Sequence, residues 1–131
     1  MTAKTFLVLL IAICTLFGCK SRAGLAEGGI YAAPQDGGKY SVVKILKIDE
    51  KGVHVRLYSN VYPQLPRSIE ESTLYMAGMD RKPGESLGMG HAPISRESFA
   101  SWGVVFVQQS SVSESELEGY NMWLEAGGGY F

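Results

Sequence analysis

Tyr40–Tyr58 reads YSVVKILKIDEKGVHVRLY, and the pattern of this stretch decides the fold. Tyr40 to Ile48 is rich in β-branched and aromatic residues, which pack well on a pleated surface. Asp49-Glu50-Lys51-Gly52 is a polar hairpin connection, with Gly52 expected at positive φ. Val53 to Tyr58 then alternates strictly. The stretch therefore predicts two antiparallel strands joined by a tight turn. A period of two places Val53, Val55 and Leu57 on one face, and His54, Arg56, Tyr58 and Asn60 on the other. With the apolar set against the core, the second set is expected to form a polar-aromatic surface, extended by Tyr62, of the kind used in recognition.

Strand signals continue outward from the hairpin. Gly29-Ile30-Tyr31-Ala32-Ala33 is a short strand ending at Pro34, and Gln35-Asp36-Gly37-Gly38 is a turn by composition. Downstream, Pro63 and Pro66 break the pattern. Ser68 with Glu71 predicts a capping box for a helical turn, followed by a short strand around Leu74-Tyr75-Met76. Six Gly and Pro residues between 78 and 93 predict a loop. Ser95 is expected to cap a short helix from Arg96 to Trp102, ended by Gly103, and Val104 to Gln108 reads as a buried strand. Ser113 with Glu116 forms a second capping box, with Glu114 in a first turn that favours anions. Leu117, Tyr120 and Leu124, with Trp123 beside them, predict the buried stripe of a C-terminal helix stopped by Gly127-Gly128-Gly129.

These elements make an α+β chain with a small antiparallel barrel or curled sheet. Gly29-Ile30-Tyr31 followed by the Tyr40–Tyr58 hairpin resembles the opening of an SH3-like barrel. The later segments around His91–Trp102 and Glu116–Gly129 are similar to small uncharacterised bacterial proteins, a likeness that implies no function.

The first nineteen residues bear on location. Lys4 supplies a positive charge, Phe6 to Phe17 (FLVLLIAICTLF) is apolar except for Thr15, and small Gly18 precedes Cys19. This is the layout of a signal peptide, too short for the roughly 20 apolar residues of a bilayer-spanning helix. Leu16-Phe17-Gly18-Cys19 resembles the bacterial lipobox. That resemblance implies that residues 1–18 are removed, that Cys19 is lipidated, and that the chain is held in the cell envelope by its lipid. Lys20 is not the aspartate associated with inner-membrane retention, so the periplasmic face of the outer membrane is expected. Residues 19–27 then read as a tether and residues 28–131 as one globular domain. Cys14 lies in the removed segment, so the mature chain keeps Cys19 alone and no internal disulfide.

Without Lys4 the mature chain carries 11 basic and 13 acidic residues. That balance argues against nucleic acid as a partner, because phosphate contacts need a basic surface. Residues 104–131 hold four Glu and no Lys or Arg, which makes Glu114, Glu116 and Glu118 a second candidate surface. No hydrolase motif is present, and Gly88-Met89-Gly90 lacks the Lys-Ser/Thr of a P-loop. No catalytic residue and no cofactor are expected. Met76, Met79, Met89 and His91 carry donors that suit Cu(I), which makes a copper-handling role the alternative. Methionine commonly fills irregular gaps, so packing is the expected use of these side chains and no metal site is expected. The reading is a lipid-anchored binding protein whose partner is another envelope protein. An immunity protein against a periplasm-delivered toxin and an accessory subunit of an envelope complex both fit it.

Overall fold

The computed structural model describes residues 24–131. The signal peptide, Cys19 and most of the tether lie outside the described residues. Among these residues no helix is long and apolar enough to cross a membrane.

Five strands form one antiparallel sheet: β1 (Gly29–Pro34), β2 (Tyr40–Ile48), β3 (Gly52–Tyr62), β4 (Met89–Ser95) and β5 (Val105–Gln109). Their order is β4-β3-β2-β1-β5. The sheet therefore ends in two edges and is open, not the closed SH3-like barrel the hairpin suggests. Helix α1 (Arg96–Ser101) links β4 to β5, and helix α2 (Glu118–Glu125) follows a 3-10 turn at Ser115–Leu117. The predicted hairpin is β2–β3, with Val43↔Leu57 and Ile45↔Val55 as partners. Leu46 bulges out between Ile45 and Lys47, which sets Lys47 opposite His54.

Alternation separates two layers. Tyr31, Val43, Ile45, Val53, Val55, Ala92 and Ile94 bury one face against Phe99 of α1. Ser95 caps that helix by accepting from Ser98 N at 3.2 Å. The opposite face holds Ile30, Val42 and Tyr58, packed on Ile69. It also carries His54, over which α2 lies through Tyr120 and Trp123. The sheet is thus covered on both sides, and β3 is buried on both faces over much of its length.

Several local expectations change. Met89–Ser95, assigned to the Gly/Pro loop, is strand β4; an outer strand tolerates Pro93 because the side lacking an N–H need not be paired. Val105–Gln109 is a strand but not a buried one, because it lies at the end of the sheet with Val105 and Phe106 exposed. No strand forms at Leu74–Met76, and the turn at Glu71–Thr73 has no side-chain cap from Ser68. Gly52 is not at positive φ. Asp49 shapes the hairpin instead, accepting from Lys51 N at 2.9 Å and Gly52 N at 2.8 Å through Oδ1. Glycine is required at position 52 because the ring of Tyr130 occupies the space a Cβ would take. At the start of the described chain, Ala26 N donates to the Tyr31 hydroxyl at 3.0 Å, and Glu27 Oε2 accepts from Ile48 N at 2.9 Å. Two residues of the expected tether are therefore docked on the sheet.

Candidate functional site

The polar face of β3 is the natural place to look, and the structure closes it. His54 has 0% of its surface exposed, and Tyr58 is buried. The alternation is as expected, but α2 covers the face it creates. His54 is hydrogen-bonded at both nitrogens: Nδ1 lies 2.9 Å from His91 Nε2, and Nε2 lies 2.9 Å from Asp49 Oδ2. The Tyr130 hydroxyl donates to the same Asp49 oxygen. Around this chain stand Trp123 at 4.5 Å and Tyr120 at 4.7 Å, each edge-on to the His54 ring, while His91 stacks on it at 5.1 Å. Gly119 lets α2 approach, since a Cβ there would sit 2.6 Å from His91 Cβ.

The proton order along the chain follows from charge. Burial works to raise the Asp49 pKa, but hydrogen bonds from Tyr130, His54 and the Gly52 and Lys51 amides outweigh it and hold the carboxyl well below its usual range. An ionised Asp49 accepts a hydrogen bond from His54 Nε2–H. In the neutral pair, His54 Nδ1 then accepts from His91 Nε2–H, which leaves His91 Nδ1 bare. Burial, followed by the neighbouring His54, lowers the His91 pKa. Burial and Asp49 raise that of Tyr130. His91 Nδ1 has no hydrogen-bond partner among the described residues. No serine bonds to either histidine among the described residues, for Ser95 and Ser98 bond to each other at 2.9 Å. The arrangement joins the hairpin turn, β3, β4 and the C-terminal residues through shared protons.

The remaining candidate residues divide into internal and open groups. Lys44, on the same face as His54, is buried and donates to Glu116 at 2.9 and 3.1 Å and to Ser111 O at 2.7 Å. Glu116 also closes the predicted capping box, accepting from Ser113 N at 3.0 Å. Burial opposes ionisation of Glu116, but Lys44 and Ser113 prevail and lower its pKa. Glu116 is therefore an internal ion-pair partner, unlike Glu114 and Glu118, which are exposed. Arg56 is partly exposed, with Nη1 3.8 Å from Glu116 and Nε donating to Gly90 O at 3.3 Å. Asn60 bonds Thr73 O and Tyr75 N, each at 3.0 Å, and fastens the 73–77 segment to β3. Tyr62 packs half-buried on the Ile30 cluster. The buried stripe of α2 is rotated from the expected one. Tyr120 and Trp123 face inward, whereas Leu124 is 56% exposed.

Of the candidate copper donors, Met76, Met79 and Met89 are exposed, and His91 gives Nε2 to His54. Among the described residues no three His, Cys, Asp or Glu side chains are placed to hold a metal ion. A cleft of about 410 Å³ lies elsewhere, between Leu57, Tyr58, Leu87 and Trp102, with Gln35 and Ser86 at its rim. Sequence reasoning missed Asp49, Tyr130 and Trp123 as parts of the His54 cluster, and Lys44 as the partner of Glu116. The Asp-x-x-Gly turn made Asp49 conspicuous, but nothing local ties Tyr130 to it. Comparisons with family models, with curated proteins and with solved structures find no match to this chain.

Proposed function

We propose that the chain is a lipid-anchored protein of the bacterial cell envelope that works by binding another protein. Neutralisation of a periplasm-delivered toxin is the use best suited to its size, its lipobox-like Leu16-Phe17-Gly18-Cys19 and its lack of a hydrolase motif. The observation that carries the binding reading is the outer surface of α2. Glu118, Met122 and Glu125 recur there at i, i+4 and i+7, all exposed, with Met122 at 71% and Leu124 beside it. Large apolar side chains set among carboxylates, with no basic residue between 104 and 131, suit a partner that presents a basic rim around an apolar patch.

The test is capture from envelope extract by the full chain, compared with two pairs of variants. Glu118→Lys/Glu125→Lys should slow association and weaken its salt dependence. Met122→Ser/Leu124→Ser should weaken binding by more than about 1 kcal/mol if these residues are anchors. Capture indifferent to both pairs would remove α2 from the reading.

A further inference from the structure

An open sheet leaves two rows of backbone donors and acceptors at its ends, and this chain covers most of its own. Along β4, Phe131 N donates to Pro93 O at 2.9 Å and Ser95 N donates to Phe131 O at 2.7 Å. The far half of β3 runs past β4, whose pairing stops at Leu57↔Met89. That stretch takes up the 73–77 segment through Ser59 N to Tyr75 O at 2.8 Å and Ala77 N to Ser59 Oγ at 2.6 Å. β5 differs. It pairs with β1 from Gly29↔Gln109 to Ala32↔Val105, and among the described residues no backbone group bonds to its other side.

β5 is short and bulges at Val107, but the charged and proline guards of an edge strand are missing there. Gly103 to Ser113 (GVVFVQQSSVS) holds no charged residue and no proline. Val105 and Phe106 are 40% and 52% exposed on this edge. Phe106 is braced by an edge-to-face contact with Tyr31 at 5.5 Å, so it is held in place with much of its ring uncovered. Elsewhere the chain meets the same problem with Pro93, with its own C-terminus and with the Asn60 clamp.

We propose that β5 pairs antiparallel with β5 of a second copy, joining two sheets into one across a two-fold axis. A second copy suits this edge for three reasons. Antiparallel pairing of identical strands is isologous, so one interaction satisfies both edges at once. The strand is uncharged, so no like charges face each other when it meets itself. A two-fold at Phe106 sets that ring opposite its own counterpart, with Val105 opposite Val107 of the other copy. A strand pair of five residues buries much less than the roughly 1,200–2,000 Å² of a stable interface, so the dimer is weak for the free chain. Confining copies to one membrane would raise their effective concentration and favour it.

The test is a cysteine scan of the full chain in detergent, with Cys14→Ser and Cys19→Ser in the background and single cysteines from Val105 to Gln109. Under mild oxidation, disulfide dimers should peak at the one or two positions nearest the axis and fall off on both sides. Sedimentation velocity of the unsubstituted chain should show concentration-dependent dimerisation, weakened at least about tenfold by Phe106→Lys. A flat cross-linking profile, or a chain monomeric at every concentration, would overturn the proposal. So would adducts at these positions heavier than a dimer of this chain, which would give the edge to a different protein.

Discussion

At the residue scale, the molecule depends on a few polar groups whose partners lie far away in sequence. His54 sits between Asp49 and His91, and its removal takes a hydrogen bond from each, although Asp49 keeps those from Lys51, Gly52 and Tyr130. His54→Leu should therefore cost about 1–3 kcal/mol in all, mainly through the hydrogen bond lost to His91, read from urea denaturation. His91 adds a pH dependence of definite sign. Its folded pKa lies below the ordinary histidine value of 6.5, so the unfolded chain binds the proton more readily. Stability is then greatest above 6.5 and falls as the pH drops through that value. Thermal melts between pH 7.5 and 5 should show the loss, and His91→Gln should flatten it. Asp49, whose folded pKa is depressed, contributes its own loss only at more acidic pH. Lys44 and Glu116 form the second long-range pair. Lys44→Met alone should destabilise strongly by leaving Glu116 only the more distant Arg56, and adding Glu116→Gln should recover part of the loss.

At the scale of elements, the C-terminal helix shows how periodicity can find a helix yet misplace its buried side. Residues 117, 120 and 124 form a stripe on paper. The inward side is instead chosen by Gly119, which fits over His91, and by Trp123, which packs on His54 and donates to Gly129 O at 2.9 Å. Trp123→Ala should cost about 1–3 kcal/mol, as for a part-buried ring that packs on His54. Leu124→Ala should stay within about 0.5 kcal/mol, as for an open surface site. Similar Tm losses in calorimetry for the two variants would mean that α2 packs in a different rotation. The last residues act as an element too. Removing Tyr130 and Phe131 takes a hydroxyl from Asp49 and uncovers the β4 edge, so hydrogen exchange should speed up at the Ser95 amide.

At the scale of the whole molecule, the sheet serves as a platform with unlike sides. One face closes over α1 as an apolar core, and the other closes over α2 through the histidine cluster and the Lys44–Glu116 pair. Surface left over for partners lies on the outside of α2 and along β5. The proposed anchor at Cys19 is upstream of Ala26, where the chain docks on the sheet. Cys19→Ser should move the protein from the detergent phase to the aqueous phase on partitioning. Wild-type protein found in the aqueous phase would remove the lipid anchor and leave the domain's surfaces as they are.

Local patterns carried the α+β class, the β2–β3 hairpin with its alternating faces, the Ser95 cap and the Ser113–Glu116 capping box, because each depends on residues within a few positions of one another. The candidate surface was legible only as a pattern. Alternation separated His54, Arg56 and Tyr58 from Val53, Val55 and Leu57, but it cannot say whether a polar face meets water or a second layer. That depended on α2, more than fifty residues downstream, swinging across the sheet to bring Tyr120, Trp123 and Tyr130 onto His54. The same holds for β4, whose Gly90 and Pro93 read as a loop until pairing with β3 made it an outer strand. Burial, edge position and the partners of a buried charge are properties of the assembled layers, so only the tertiary structure decided them.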